Sequence, residues 1–276
     1  MITYSGIGHF GRLGNQMFQF ASTYGIAKKL GYDVAFPLEN ITTPSVEDFK
    51  DGVTREIYFD IPKVFDVPKE LIRPSSEIFY DKEVQEPHFH FTPSLFTIPD
   101  NTNIKGYYQT EKYFEHCEED IKKIFTFQPH IKKESLEKFP KVYSDTVSLH
   151  IRVGDYVGLQ DFHPICDSDY YIKATQHFAD DNYHFLIFSD NIEYCKNIFG
   201  ESENILYIEG NNPYIDLCLM SMCEHNIIAN SSFSWWAAWL NNNPYKKIIA
   251  PQKWFGPAYQ GINDTKDLYC KNWKKA

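Results

Sequence analysis

Apolar positions in the first half of the chain alternate between short strand-like runs and longer stretches with helical spacing. The pattern predicts strands at residues 2–4, 34–36 and 104–107 and helices at residues 15–30 and 112–125. A glycine-rich loop at residues 6–14 separates the first strand from the first helix. Residues 37–103 are rich in proline and aromatics, and their pattern orders no elements.

A second alternating series follows in the other half of the chain. It predicts strands at residues 147–151, 184–188, 205–207, 226–229 and 247–250 and helices at residues 170–178, 192–199, 214–223 and 233–240. Residues 128–145, between the two series, are charged and interrupted by Pro129 and Pro140. Such alternation is typical of α/β folds with parallel sheets. It predicts two α/β domains, residues 1–140 and 141–276.

Composition and charge narrow the class of protein. The 276 residues include 43% hydrophobic positions, which excludes a disordered chain. The 27 Lys and Arg against 37 Asp and Glu give a net charge of −10, which argues against nucleic acid or an anionic membrane as the main partner. A small anionic ligand needs only a few local cations, so it stays compatible with this balance.

Cysteine usage and apolar run lengths bear on the cellular compartment. The six cysteines form no C-x-x-C pair, which is typical of reduced thiols. No apolar run approaches the ~18 residues of a membrane span, and the N-terminus lacks the features of a signal peptide. We therefore expect a cytoplasmic protein without a transmembrane segment. The oligomeric state cannot be read from the sequence.

The glycine-rich loop has three interpretations. Gly6, Gly8 and Gly11 fit G-x-G-x-x-G, and Glu39 lies near the end of the next strand, as in dinucleotide-binding proteins. In those proteins the glycines open a helix directly, whereas here the helical spacing starts only at Asn15. A loop that bends close to a substrate is therefore favoured over nicotinamide or flavin binding. A flexible turn is the plain alternative.

A second motif ends the strand at residues 147–151 and includes His150, Arg152, Gly154 and Asp155. Ligands of open α/β sheets bind at the carboxyl ends of the strands. An arginine there can donate two parallel hydrogen bonds to a phosphate. Asp155 could orient Arg152 or act on a substrate hydroxyl, and a purely structural Arg–Asp pair is the alternative.

A third motif stands at the end of the strand at residues 226–229 and opens the next helix. It consists of Asn230, Ser231, Ser232, Phe233 and Ser234. Hydroxyl side chains at such a position cap a helix, and the exposed N–H groups of the first turn also attract anions. With an arginine on a neighbouring strand, the two motifs predict a metal-free diphosphate site. The tryptophans that follow are predicted to pack in the core.

Three acidic residues and a histidine complete the candidates. Asp190 ends a strand and either binds a ribose or base or caps the next helix. Asp167 and Asp169 match the D-x-D of metal-dependent sugar transferases, but they precede a helical run, so capping is favoured. His163 lies in the same loop as this pair. No His, Cys and Asp cluster has metal-ligand spacing, so no metal is expected.

Four segments resemble glycosyltransferase family 11, the α-1,2-fucosyltransferases. They are residues 11–21 (GRLGNQMFQFA), 105–114 (KGYYQTEKYF), 150–156 (HIRVGDY) and 216–240, which includes SSFSWW. They follow one another in the family's order and reach from residue 11 to about 250. One departure is Val153, which stands where the family usually has a second arginine.

The resemblance implies a GT-B fold, with two Rossmann-like domains facing across a substrate cleft. GDP-fucose would bind the C-terminal domain and a galactose-containing oligosaccharide acceptor the N-terminal one. Transfer would invert the anomeric carbon without a metal ion or other cofactor. By resemblance, Arg12, Gly14, Asn15 and Gln16 would form a donor-binding segment, in which Asn15 takes part in catalysis.

Some assignments stay open at this level. Asp155 and His163 are both candidates for the general base, and residues 40–103 are expected to line the acceptor side. Three rival classes are a transferase with another GDP-sugar or linkage, an NAD-dependent oxidoreductase, and a non-catalytic carbohydrate-binding relative. The product is expected to be a surface glycan or its precursor.

Overall fold

The computed structural model describes residues 1–48, 54–142, 144–179, 182–262 and 264–276. The chain divides into two units, Met1–Gln128 with Gly261–Cys270 and Pro129–Gln260 with Lys271–Ala276. The sequence-based division at residue 140 had placed residues 129–138 in the first domain. They form a helix that packs against a helix of the second unit. Pro129 does not interrupt this helix because it occupies the first position, where no N–H is needed.

The first unit is built on a parallel five-stranded sheet. Its strands are β1 (Ile2–Thr3), β2 (Val34–Pro37), β5 (Ile72–Arg73), β6 (Lys82–Gln85) and β7 (Thr102–Lys105). They lie in the order β5-β2-β1-β7-β6. A separate antiparallel hairpin joins β3 (Ser45–Asp48) and β4 (Thr54–Ile57). The first strand is thus central, so the glycine-rich loop leaves the middle of the sheet.

The helices of the first unit are α1 (Leu13–Leu30), α2 (Ile61–Val64) and α3 (Glu118–Ile124). α1 begins two residues before its predicted start and ends at Leu30, and the next residue, Gly31, has a φ of 72° that suits a residue without a Cβ. The helix predicted at 112–125 exists only as α3. Two short 3-10 turns precede it, and Tyr113 and Phe114 in this stretch are both fully buried.

The second unit contains a parallel six-stranded sheet. Its strands are β8 (Thr146–Ile151), β9 (His184–Ser189), β10 (Ile205–Ile208), β11 (His225–Ile227), β12 (Ile248–Ala250) and β13 (Lys274–Lys275). They lie in the order β10-β9-β8-β11-β12-β13. Numbered from the first strand of the unit, this order is 3-2-1-4-5-6, which is typical of dinucleotide-binding folds.

The helices of the second unit are α4 (Pro129–Lys138), α5 (Ser168–Gln176), α6 (Ile192–Phe199), α7 (Pro213–Met222) and α8 (Ser232–Leu240). Every strand and helix predicted for this half is present, with ends shifted by a residue or two. β13 was not predicted because it lies in a lysine-rich tail. All six residues of β8 are buried, as expected for a central strand.

The order of the strands in the second sheet determines where a ligand can bind. β8 and β11 are neighbours, but the chain leaves β8 toward β9 on one side and leaves β11 toward β12 on the other. The loops that follow the two strands therefore separate and leave a crevice at their carboxyl ends. Both sequence motifs rich in polar residues follow these two strands.

The apolar residues of the second unit pack as predicted. Trp235, Trp236 and Trp239 are at most 5% exposed, which confirms that they are core residues. None of the helices in the described ranges combines the length and the apolar character that a bilayer span requires.

Candidate active site

Arg152 lies just after β8 at the carboxyl edge of the second sheet. Its Nη2 donates a hydrogen bond to Asp155 Oδ1 at 2.5 Å, and its Nη1 lies 2.6 Å from Asp190 Oδ2. The Tyr156 ring centroid is 5.5 Å from the guanidinium carbon. The arginine side chain is only 18% exposed. Contacts from two sides fix the plane of the guanidinium and use two of its five N–H donors.

Asp190 holds the backbone of this loop as well as the arginine. Its Oδ1 accepts hydrogen bonds from the N–H of Val153 at 3.0 Å and of Gly154 at 3.2 Å. A Cβ on Gly154 would lie 2.3 Å from Asp190 Oδ2, so the close approach requires glycine. The helix-capping interpretation of Asp190 is wrong, because Asn191 caps α6 by accepting from the N–H of Tyr194. Contact with a ribose or base stays a prediction.

Asp155 and Val153 complete this turn. Asp155 is placed against Arg152, as expected for a residue that orients the guanidinium. Val153, at the position of the family's usual second arginine, is 3% exposed and packs in the hydrophobic core. This position therefore brings no charge to the crevice, and Arg152 is the arginine that the motif contributes.

Asn230 follows β11 and ties several loops together. Its Nδ2 donates to the carbonyls of Pro164 at 2.8 Å and Trp254 at 3.1 Å, and its Oδ1 accepts from the Cys166 thiol. Its own carbonyl accepts from the Tyr156 hydroxyl. The side chain is 1% exposed and both amide hydrogens are used, so contact of Asn230 with a ligand stays a prediction. Asn230 positions the loops around the crevice.

The start of α8 lies beside Arg152 because β8 and β11 are adjacent. Ser231 occupies the N-cap position, but in the described structure its side chain does not cap the helix. Ser234 Oγ donates back to the Ser231 carbonyl at 3.2 Å. Ser232 and Phe233 are half-buried in the first turn. N–H groups of a first turn have no acceptor within the helix, so this end can bind an anion.

His150 points into the buried side of the same edge. It is 6% exposed, its ring lies 5.8 Å from that of Phe233, and its Nδ1 has no hydrogen-bond partner in the described part of the chain. Burial, together with the nearby charge of Arg152, lowers the pKa of His150 to about 4. The imidazole is therefore neutral near pH 7 and can only offer or accept one hydrogen bond at each nitrogen.

This histidine is expected to make folding stability depend on pH. An unfolded histidine takes up a proton below about pH 6.5, whereas the folded one does so only near its pKa of about 4. The stability contributed by neutral His150 is therefore complete above about pH 6.5 and falls as pH decreases toward about 4. We expect a loss on the order of 3 kcal/mol from this residue in urea unfolding curves. The variant His150→Gln should lose less over the same range, and an identical loss would contradict the assignment.

His163 and Asp167 lie in the loop between Arg152 and α5. The His163 ring stacks on Tyr156 at 5.1 Å and contacts Phe255 and Tyr259. Asp167 caps α5 by accepting from the N–H of Tyr170 at 2.8 Å, which confirms the capping interpretation of D-x-D. Within the ranges that the structure describes, no three His, Cys, Asp or Glu side chains gather as a metal ligand set.

The residues predicted to bind the donor in the glycine-rich segment of the first unit differ in burial and in their contacts. Gln16 is fully buried, donates to the carbonyls of Tyr58 and Gly11, and accepts from the N–H of Asp60. The amide therefore holds the loop, and contact of Gln16 with a ligand stays a prediction. Gly14 is buried inside α1, and Arg12 is exposed at the N-cap position.

Asn15 is half-buried and pairs with a residue that the sequence did not single out. Its Oδ1 accepts from Gln109 Nε2 at 3.0 Å. Gln109 belongs to the family-like segment 105–114, which was the signal that could have identified it. A Cβ on Gly11 would lie 2.5 Å from Asn15 Nδ2, so the loop needs glycine where it turns at a φ of 80°.

Glu86 was also missed, because it lies in the stretch that the sequence did not order. Its carboxylate follows β6 and accepts from the N–H groups of Tyr107 at 2.7 Å and Tyr108 at 3.0 Å. Burial raises the pKa of Glu86 to about 7. The carboxylate thus fixes the loop that carries Gln109.

Comparisons with known proteins place the chain in a family. The sequence profile of glycosyl transferase family 11 matches residues 3–276. An α-1,2-colitosyltransferase of Escherichia coli is 39% identical over 160 residues, which cover 54% of this chain and 55% of the relative. The O-antigen biosynthesis glycosyltransferase WbnK of Escherichia coli is 40% identical over 139 residues, covering 47% of this chain and 44% of the relative. These matches span about half the length of either relative.

A longer and weaker match is the galactoside 2-α-L-fucosyltransferase Sec1 of Mus musculus, 23% identical over 91% of this chain and 72% of the relative. Among solved structures, NodZ α-1,6-fucosyltransferase soaked with GDP-fucose matches with a TM-score of 0.52 and 14% identity, over 87% of this chain and 91% of that one. POFUT1 in complex with GDP matches with a TM-score of 0.54 and 13% identity, over 90% and 97%. These likenesses confirm the mixed α/β, GT-B-like fold with parallel sheets. Because the family profile spans nearly the whole sequence, the chain belongs to glycosyl transferase family 11.

Proposed function

We propose that this chain transfers L-fucose from GDP-β-L-fucose to a galactoside hydroxyl, forming an α-1,2 linkage with inversion and without a metal ion. The observation that carries the proposal is the position of Arg152. It is fixed at the switch point of a 3-2-1-4-5-6 sheet, beside the start of α8. Crevices at that point bind nucleotide diphosphates in folds of this order. The sugar and linkage are suggested by the names of the relatives.

The difficult step is departure of GDP from the anomeric carbon. The acceptor oxygen forms a bond to the anomeric carbon while the bond between that carbon and the β-phosphate oxygen breaks. GDP leaves with the electron pair of the broken bond. Negative charge therefore grows on the diphosphate. In many transferases a divalent cation stabilises this charge. Here Arg152 and the N–H groups at the start of α8 would do so from fixed positions.

Two carboxylates contact Arg152 and hold its orientation. Asp155 and Asp190 carry two negative charges against the one positive charge of the arginine, so the ionised cluster has a net charge of −1 and would act on a diphosphate through placed N–H donors. Their contribution is to hold the guanidinium plane, which lets a planar donor pair face two phosphate oxygens. The positive end of α8 adds potential at the same edge.

Proton removal from the acceptor is not assigned to Asp155 or His163. Asp155 accepts a hydrogen bond from Arg152, and His163 packs in an aromatic cluster with Tyr156. Both residues thus support the crevice. A strongly dissociative transition state needs little base assistance, because the acceptor proton is lost late. The acceptor is expected to belong to a surface glycan or its precursor, in keeping with the O-antigen role in the name of WbnK.

A second donor is favoured by one specific observation, the 39% identity to an α-1,2-colitosyltransferase. Colitose is fucose without its 3-hydroxyl group. A fucose-specific site would hydrogen-bond that hydroxyl and would reject the deoxy sugar, whereas a colitose-specific site would exclude the hydroxyl.

A donor panel tests the proposal. GDP release is measured with GDP-fucose, GDP-colitose and GDP-mannose, each with and without a β-galactoside, and the product linkage is determined by NMR. Acceptor-dependent release from GDP-fucose with an α-1,2 product supports the proposal. A rate of GDP release about tenfold or more higher with GDP-colitose than with GDP-fucose would identify colitose as the transferred sugar. Release with none of the three would contradict GDP-sugar transfer.

A further inference from the structure

Two exposed aromatic rings lie at the carboxyl edge of the first sheet. Phe10 is 50% exposed in the loop after β1, and Tyr107 is 39% exposed just after β7. β1 and β7 are adjacent and parallel, so the loops that follow them emerge side by side. This is the edge at which parallel sheets bind ligands.

Tyr4 links the two loops that carry these rings. A Cβ on Gly6 would lie 2.9 Å from the Phe10 ring and 3.7 Å from the Tyr4 ring. The Tyr4 hydroxyl donates to the carbonyl of Gly106 at 2.8 Å, directly before Tyr107. Buried Tyr4 therefore lies near the loop of Phe10 and holds the residue before Tyr107.

Both ends of this surface are held by buried polar groups. Gln19, fully buried in α1, donates to the carbonyl of Phe10 at 2.9 Å. Glu86 accepts from the N–H groups of Tyr107 and Tyr108. The rings are thus exposed on a backbone that is fixed, so little order has to be gained when a ligand binds.

Glu86 also places a carboxylate at the backbone of Tyr107. The residue is half-buried, and each of its oxygens accepts one backbone hydrogen bond. A carboxylate has about four acceptor positions, so the oxygens can accept further hydrogen bonds from a ligand. Aromatic faces next to a hydroxyl acceptor suit a ligand with one apolar and one polar side.

We infer that Phe10, Tyr107 and Glu86 form a pyranose-binding subsite that takes the galactose ring of the acceptor. This inference rests on the proposed function. The axial 4-hydroxyl of galactose leaves the C3, C4 and C5 hydrogens together on one face, which can pack on an aromatic ring. Its hydroxyls can donate to the Glu86 carboxylate. Of these three residues, only Glu86 lies in the stretch 40–103 that the sequence predicts for the acceptor side.

The test replaces each ring and measures the acceptor KM separately from the donor KM. Tyr107→Ala and Phe10→Ala should each raise the galactoside KM about tenfold and leave the GDP-fucose KM unchanged. Two further variants separate ring stacking from the general shape of the side chain. Tyr107→Phe keeps the ring and should leave the galactoside KM near the wild-type value. Phe10→Leu removes the ring and should raise the galactoside KM as Phe10→Ala does. Phe79→Ala is the matched control, since Phe79 is 71% exposed but precedes β6 at the opposite edge of the same sheet.

Direct binding of methyl β-D-galactopyranoside, followed by ligand-observed NMR, distinguishes this inference from the proposed function. Wild-type chain that releases no GDP from any donor but binds the galactoside through Tyr107 would refute transfer and support the subsite. An unchanged galactoside KM and unchanged binding in both alanine variants would overturn the subsite. An equal rise in both KM values would also overturn it, because that pattern indicates a general disturbance.

Discussion

Replacing Arg152 with alanine is expected to lower kcat/KM for GDP release by about a hundredfold or more. The guanidinium is the fixed cation at the switch point, and the loss of one preorganised donor to a developing charge typically has this effect. The variant also leaves Asp155 and Asp190 without their shared cation, so they would repel the diphosphate. We expect the fold to survive, because Arg152 lies in the turn after β8 and its partners Asp155 and Asp190 belong to the loops at that edge.

Arg152→Lys separates charge from geometry. Lysine restores the positive charge but cannot donate two parallel hydrogen bonds. We expect its kcat/KM to lie between wild type and the alanine variant. Arg73→Ala is the matched control, since Arg73 also pairs with an aspartate, Asp33, but belongs to the first unit. Circular dichroism checks folding, and near-normal turnover in a folded Arg152→Ala chain would refute the role of Arg152.

Asp190→Ala is expected to reduce kcat/KM by about tenfold to a hundredfold. Asp190 accepts from the N–H groups of Val153 and Gly154 and contacts Arg152, so its removal leaves three donors unpaired. The loop then loses the geometry that aims the guanidinium. Asp190→Asn keeps an oxygen for the two N–H groups and loses only the charge, so it should retain more activity.

The effect of Asp190 is positional, and Gly154→Ala tests this independently. Its methyl group would lie 2.3 Å from Asp190 Oδ2 and force the carboxylate away from the arginine. A similar fall in kcat for Asp190→Ala and Gly154→Ala is expected. Asp167→Asn is the control, because asparagine also caps α5. Activity lost in Asp167→Asn but kept in Asp190→Ala would reverse the assignment and indicate a metal-binding D-x-D.

Many strands and helices of the second unit could be predicted because the sequence patterns that specify them are local. Apolar runs such as residues 147–151 and helical spacing such as residues 192–199 depend on neighbours in the chain. Residues 37–103 resisted prediction because their strands are very short and depend on partners far away, as β2 pairs with β5. The predicted domain division differs from the two units of the structure because the sequence does not reveal whether a proline such as Pro129 begins a helix or interrupts one.

The sequence predicted that two polar motifs follow neighbouring strands, but it did not reveal the contacts within them. Arg152 and the start of α8 follow adjacent strands, as the rule for parallel sheets predicts. Gln16 and Asn230 were expected to contact a ligand, but their amides satisfy backbone carbonyls in the interior. A polar side chain beside a glycine-rich turn can do either, and only the fold shows which carbonyls need a donor. The contact of Asp190 with the Arg152 loop joins residues on different strands and was likewise beyond local patterns.

The measurement that tests the central claim most directly is GDP release from GDP-fucose by the wild-type chain, with and without a β-galactoside, in excess EDTA. Arg152 and the start of α8 stabilise the leaving diphosphate in this mechanism, so we expect acceptor-dependent release at an undiminished rate. Release that EDTA abolishes and added Mn²⁺ or Mg²⁺ restores would contradict the metal-free site and assign the leaving-group charge to a cation.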